Sequence, residues 1–220
     1  ADPLPLIPGL ILGLSIFLVW TYVWYSVFET SNIEMRFTKA LQIFMAGNFM
    51  NAITPLGQAG GEPIMAYLLE QNSNASYEKA LSSIFSADIM NAIPPFTFIL
   101  GGSAYLILFQ SINQIVIQAL YMALLITVVG GFFVYLLWFE AGTIENKIIN
   151  LLEKIVAVLG KGETLLTGLE EKLDNIEESF KTIGENPYEL VKISLIAHIG
   201  FPVQVFNFYF IMLSLGITPD

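Results

Sequence analysis

Two carboxylates stand out in this chain because of their surroundings. Glu62 lies in the stretch Asn48 to Tyr67, NFMNAITPLGQAGGEPIMAY, and Asp88 lies inside the apolar run Ala80 to Phe109. A carboxylate at membrane depth is costly and by default marks a functional site. Glu62 follows Gly60-Gly61 and precedes Pro63, which also suits the cap of a short helix beginning at the proline. The two readings are compatible, since a helix start aimed into a cavity is itself a binding site, and transporters build sites from discontinuous helices. Asp88 and Asn91 are three apart and share a helix face, as do Asn48 and Asn51. The candidate ligand-binding set is therefore Asn51, Thr54, Gly60, Gly61, Glu62 and Asp88.

Each candidate has a plainer reading. Asp88 is equally suited to be the buried partner of Asn48, Asn51 or another unsatisfied group. Asn48 suits a structural amide bond to a neighbouring helix, and Asn51 is placed either to hold the turn or to touch a ligand. His198, in an apolar run near Pro202, reads as a satisfied interior histidine, and Gln204 and Asn207 are weaker candidates. No nucleophile, base and orienter fall together, and there is no glycine-rich nucleotide loop. With no Cys and one His, disulfides and thiolate or histidine metal sites are excluded. No cofactor, metal or enzymatic activity is expected of these residues.

The elements that must position these groups are membrane spans. Of the 220 residues 55% are hydrophobic and 13% charged, against about 25% charged in an ordinary soluble domain. Several apolar runs reach the ~20 residues that cross a ~30 Å hydrocarbon core. The chain reads as an all-α, polytopic integral membrane bundle, a single membrane domain over 1–220. Spans are expected at about 4–28, 80–109, 115–139 and 191–217. The first carries Trp20, Tyr22, Trp24 and Tyr25 at its far end, as in a headgroup belt. The net charge of -10 argues against nucleic-acid partners, and most of the acids lie between Glu140 and Glu189. That segment, about 140–190, reads as cytoplasmic and helical. Leu169, Leu173, Ile176, Phe180 and Ile183 form a narrow apolar stripe, on the membrane surface or packed on the protein, with Pro187 closing it.

Residues 40–69 are too interrupted to cross as one helix. Pro55 and Pro63 disfavour helix before them, and Gly60-Gly61 frees the backbone to reverse. A broken or re-entrant element is tolerated at membrane depth where protein or a water-filled cavity satisfies its backbone. The positive-inside rule supports a returning hairpin, because only then do all nine Lys and Arg fall on one side. The N-terminus is then outside, and the sequon at Asn74 lies inside. Both chain ends look like cuts, as expected of a piece of a longer protein.

The order of parts resembles the flippase-like membrane-domain family known from the transmembrane region of lysylphosphatidylglycerol synthases. The carrying residues are Asn51-Ala52-Ile53-Thr54-Pro55, Gly60-Gly61-Glu62-Pro63, Tyr67-Leu68-Leu69 and the run Lys79-Ala80-Leu81 into the Asp88 helix. The acidic segment followed by FNFYF and LSLGIT looks similar too. The resemblance implies a cell-membrane protein that binds or translocates a polar, amino-acylated or glycosylated, lipid headgroup. It implies membrane lipids as partners, and a lipid-modifying transferase as a partner or fused domain. A non-transporting anchor for such a transferase and a small-solute transporter are the alternatives. Many members carry Arg after the GG motif and in the next helix. Here Met65-Ala66 and Ala87-Asp88 stand in those regions and the only Arg is Arg36, so backbone donors and Glu62 must serve instead.

Overall fold

The computed structural model describes residues 3–54, 58–109, 114–139 and 180–218. They form six long helices and, among the described residues, no strand: α1 Pro3–Thr30, α2 Phe37–Ile53, α3 Gln58–Asn72, α4 Tyr77–Phe109, α5 Gln114–Phe139 and α6 Pro187–Ser214. Four of them, α1, α4, α5 and α6, are long and apolar enough to cross a membrane. The chain is thus an all-helical, multi-pass membrane protein. Its large exposed side chains, such as Leu14, Leu125, Phe132, Leu195 and Phe206, are what a lipid-facing surface requires. Among the described elements α5 packs on α4 alone.

Helix ends are set by local chemistry. After α1, Asn32 takes φ 53°, its N–H reaches the Glu29 carbonyl at 3.0 Å, and Ile33 N–H reaches Phe28 at 2.8 Å. That is a Schellman stop with asparagine in the left-handed position. Gly216, at φ +79°, stops α6 in the same way, with Ile217 N–H on the Met212 carbonyl at 3.0 Å. At the start of α4, the Ser76 hydroxyl accepts from Lys79 N–H at 3.3 Å and Glu78 lies in the first turn, favourable at a helix N-terminus. The helix therefore begins at Tyr77, three residues before the expected span.

Prolines and glycine inside the spans do not interrupt them. α4 runs through Pro94-Pro95 and α6 through Gly200 and Pro202. Pro187 opens α6 at the first helical position, where its missing N–H costs nothing, in place of only ending the segment before it. Of the acidic segment, residues 140–179 lie outside the described residues. Residues 180–184 are helical, and Phe180 and Ile183 are buried in the core with Leu190 and Ile193. This tail packs on protein.

α2 and α3 are shorter, at 17 and 15 residues. At 1.5 Å per residue they reach about 26 and 22 Å, short of a ~30 Å core. They pack antiparallel, with Gly47 facing Met65 and Asn51 facing Gly61. The hairpin's two ends are tied together by Asn74, whose Oδ1 accepts from Glu34 N–H at 3.0 Å and whose Nδ2 donates to the Asn32 carbonyl at 3.3 Å. The glycine pair does not make the reversal. Gly60 and Gly61 lie within α3, which starts at Gln58, and α2 ends at Ile53. Gly61 instead permits close approach: a Cβ there would fall on Asn51 Oδ1 and the Gly47 carbonyl.

The core gathers where α1 ends and α4 and α6 begin. Trp24, Val27, Phe28, Phe44, Leu69, Ala80, Ile84, Ala87, Ile183 and Ile193 are buried there. Polar groups inside it are paired, as for Ser83 and Ser31 at 3.1 Å and the Thr21 hydroxyl on the Phe17 carbonyl at 2.6 Å. Gly61→Ala must push α3 off a rigid backbone carbonyl, at a cost of about 1–3 kcal/mol. A lower melting temperature in detergent is expected, whereas Gly130→Ala, with open space around its Cβ, should leave it unchanged.

Candidate functional site

Glu62 and Asp88 meet in one cavity. It encloses about 270 Å³ and is walled by α1 (Trp20, Trp24), α2 (Phe44, Asn48, Asn51), α3 (Glu62, Met65), α4 (Asp88, Asn91, Ala92, Pro94, Pro95) and α6 (Ala197, Phe201, Gln204). Five helices contribute, and the broken hairpin supplies two carboxamides and one carboxylate. Among the described residues no Lys or Arg lines it.

The walls are held by specific bonds. Trp24, 1% exposed, donates its indole N–H to Asp88 Oδ1 at 3.0 Å. The ring is fixed edge-on against Phe44 at 5.1 Å and Phe28 at 5.9 Å. Asn51 Oδ1 accepts the Gly61 N–H at 2.8 Å, one of the early α3 donors that has no partner within its own helix. Asn51 therefore holds the hairpin closed while its side chain faces the cavity. Asn48 Nδ2 donates to the Phe44 carbonyl of its own helix at 2.9 Å, so the expected bond to a neighbouring helix is replaced by a local one. Among the described residues the buried Oδ1 of Asn91 has no hydrogen-bond partner. An orphaned acceptor beside a polar cavity is a group that calls for explanation, and a donor-bearing ligand would supply one.

Of the expected set, Asn51, Glu62 and Asp88 come together at the cavity. Thr54 and Gly61 do not line it: Thr54 N–H ends α2 on the Met50 carbonyl at 3.0 Å, and Gly61 backs the hairpin. Glu62 is not a helix cap, because α3 starts at Gln58 and places it inside the second turn. The partner of Asp88 is Trp24, not Asn48 or Asn51. Trp24 is correspondingly a buried cavity residue and not part of an interfacial belt, whereas Tyr22, on the same turn, is 45% exposed. The spacing of Trp20 and Trp24, four apart, was the available signal for a shared inward face. His198 is satisfied as expected, with Nδ1 on the Ser194 carbonyl at 2.6 Å and Nε2 on the Thr97 hydroxyl at 2.8 Å.

Chemically the cavity offers two carboxylates, carboxamides and aromatic walls. It suits a polar ligand rich in hydrogen-bond donors, and aromatic faces beside carboxylates tolerate a cation. Among the described residues no group of three or more His, Cys, Asp or Glu could hold a metal.

The spans, the short hairpin and the chamber among them define a multi-pass helical membrane protein with a polar site inside its bundle. Residues 1–220 match the family described as the lysylphosphatidylglycerol synthase TM region, and the chain belongs to that family. It is 23% identical over 212 residues to a UPF0104 membrane protein of Pyrococcus horikoshii, covering 90% of this chain and 61% of the relative. A UPF0104 membrane protein of Methanothermobacter thermautotrophicus is 25% identical over 215 residues, covering 93% of this chain and 60% of the relative. The chain thus spans about three-fifths of the length of these curated relatives. No solved structure matches it significantly. Family membership indicates a lipid-related membrane role.

Trp24→Phe keeps the ring and removes the donor to Asp88. Leaving a buried polar group unpaired costs about 1–3 kcal/mol. Melting should fall measurably in Trp24→Phe and recover in part when Asp88→Ala is added, a double-mutant cycle that reads the coupling directly.

Proposed function

We propose that this chain binds a polar lipid headgroup in the cavity and carries it between leaflets. The observation that carries this reading is the placement of Glu62 and Asp88, from a broken hairpin and a membrane span, on one half-open cavity. A headgroup cannot cross hydrocarbon unaided because its polar groups would lose their partners. Here carboxylates and amides stand in for water at membrane depth. Amino-acylated and glycosylated headgroups are both rich in donors, and the lining is rich in acceptors, with no arginine to clamp a phosphate.

The α2–α3 unit acts as a re-entrant hairpin. Its length, shorter than a bilayer core, and its tied ends support this reading. Arg36, Lys39, Lys79, Lys181 and Lys192 fall near the helix ends gathered around the core, and the positive-inside rule makes that end cytoplasmic. The N-terminus of α1 is then outside, in the cell membrane, with the 140–190 segment cytoplasmic. The partners proposed are membrane lipids and, from the family's description as part of a lipid synthase, a lipid-modifying transferase that is fused or separate.

A leaflet-resolved assay of charged and fluorescent lipids in proteoliposomes tests the reading with the full-length protein. Glu62→Gln and Asp88→Asn should each slow transfer roughly tenfold, the worth of one hydrogen bond to a charged group at about 1.5 kcal/mol. A non-transporting anchor would leave leaflet distributions unchanged in all three proteins for every lipid tried.

A further inference from the structure

One wall of the cavity is a seam between two helices that each carry a proline. Pro94 and Pro95 of α4 face Ala197 and Phe201 of α6 across the chamber. One turn further, on the outer side, the seam is shut by side-chain tips. Phe98 stacks on Phe201 at 4.7 Å and 18°, and His198 Nε2 meets the Thr97 hydroxyl at 2.8 Å. The outer side of these is exposed among the described residues: Phe98 is 42% exposed and Ile199 57%. His198 also lines an apolar groove of about 530 Å³ on the outside of α6, bounded by Leu12 of α1 and by Leu195, Ile199, Pro202 and Phe206 of α6. His198 is thus common to the seam and to the groove.

We propose that the α4–α6 seam is the lateral portal by which a lipid headgroup passes between hydrocarbon and cavity, its chain remaining in the groove outside. This rests on the headgroup reading above. Three observations make this seam, and not another, the one that parts.

The first is the backbone. Pro94 and Pro95 have no N–H, so the carbonyls of Met90 and Asn91 lack their helical donors, and Pro202 does the same to the carbonyl of His198. Prolines are where helices kink, and here they stand on both sides of one seam. The second is the latch itself. The Ser194 carbonyl can only accept, so Nδ1 of His198 carries the proton at its 2.6 Å contact. In the neutral ring Nε2 then accepts from Thr97. That same hydroxyl has the Pro94 carbonyl within 2.9 Å, so it keeps a partner when the seam opens. The third is contrast with the other side of α6. There α6 is keyed into α1 through glycines: a Cβ on Gly9 would lie 3.4 Å from Ile211 and one on Gly200 would lie 3.3 Å from Trp20. Asn207 adds a bond to the Gly9 carbonyl at 2.6 Å. Close packing of that kind does not part by rotating a few side chains.

These 220 residues contain no cysteine, so paired thiols can be placed on them selectively. In the full-length protein in proteoliposomes, Phe98→Cys with Phe201→Cys is bridged by a short bis-methanethiosulfonate. A control pair, Gly9→Cys with Ile211→Cys, is bridged across α1 and α6. The portal requires that bridging the first pair reduces leaflet transfer to the protein-free rate, that reductant restores it, and that bridging the control pair leaves it running. Thr97→Val, which removes the latch bond, should shift the seam toward open and speed transfer about fivefold, the equivalent of one net hydrogen bond. Full transfer with the Phe98–Phe201 pair bridged would overturn the portal while leaving the headgroup reading standing. No transfer by the unbridged wild-type protein would remove the headgroup reading itself, and the portal with it.

Discussion

The bond from the Trp24 indole to Asp88, at 3.0 Å, is the contact on which the interior depends. Inside a bilayer a carboxylate has no water to turn to, so a helix carrying one must present it to a donor on another helix or to a polar chamber. Asp88 does both. Its bond fastens α4 to α1, and because Trp24 also packs edge-on against Phe44, the same indole seats the hairpin. The chamber is the volume left over once those three elements are fastened, and Glu62 enters it from α3.

The hairpin obeys a related constraint. Its helices, of 17 and 15 residues, are shorter than the four spans, and a polar backbone group in an apolar setting needs a partner within the protein. Asn51 supplies one by capturing the Gly61 N–H, and Gly61 lets that happen because nothing larger than hydrogen fits between it and α2. The two residues are complementary halves of one device. The hairpin is clamped shut by a side chain that also lines the chamber, so the geometry of the site and the integrity of the element are not separable. α6 completes the enclosure with two unlike edges, glycine-keyed to α1 and aromatic-tipped toward α4.

Much of this was legible beforehand. Apolar run lengths located the four long spans to within a few residues, since crossing hydrocarbon demands length and low charge whatever the packing. The interruption at 54–63 announced a broken element, and Glu62, Asp88 and Asn51 were visible as polar groups with no business facing lipid. The errors were local. Proline and paired glycine were read as breaks, but neighbouring helices can accommodate a proline in a span, and these glycines serve close approach instead of reversal. The belt reading of Trp24 failed because an aromatic near a span end has the same signature whether it faces headgroups or a buried carboxylate.

The sequence by itself determined the class of protein, the short hairpin and the presence of ionisable groups within it, because these follow from hydrophobic run length, charge placement and backbone chemistry. Only the tertiary structure decided which polar groups share a chamber and which partner each keeps. Asn91, Gln204 and Trp20 join the site, and Thr54 and Gly61 leave it, because facing is set by how five helices pack. That packing depends on contacts between residues far apart in the chain, Trp24 with Asp88 and Asn207 with Gly9 among them, which no periodicity along one helix records.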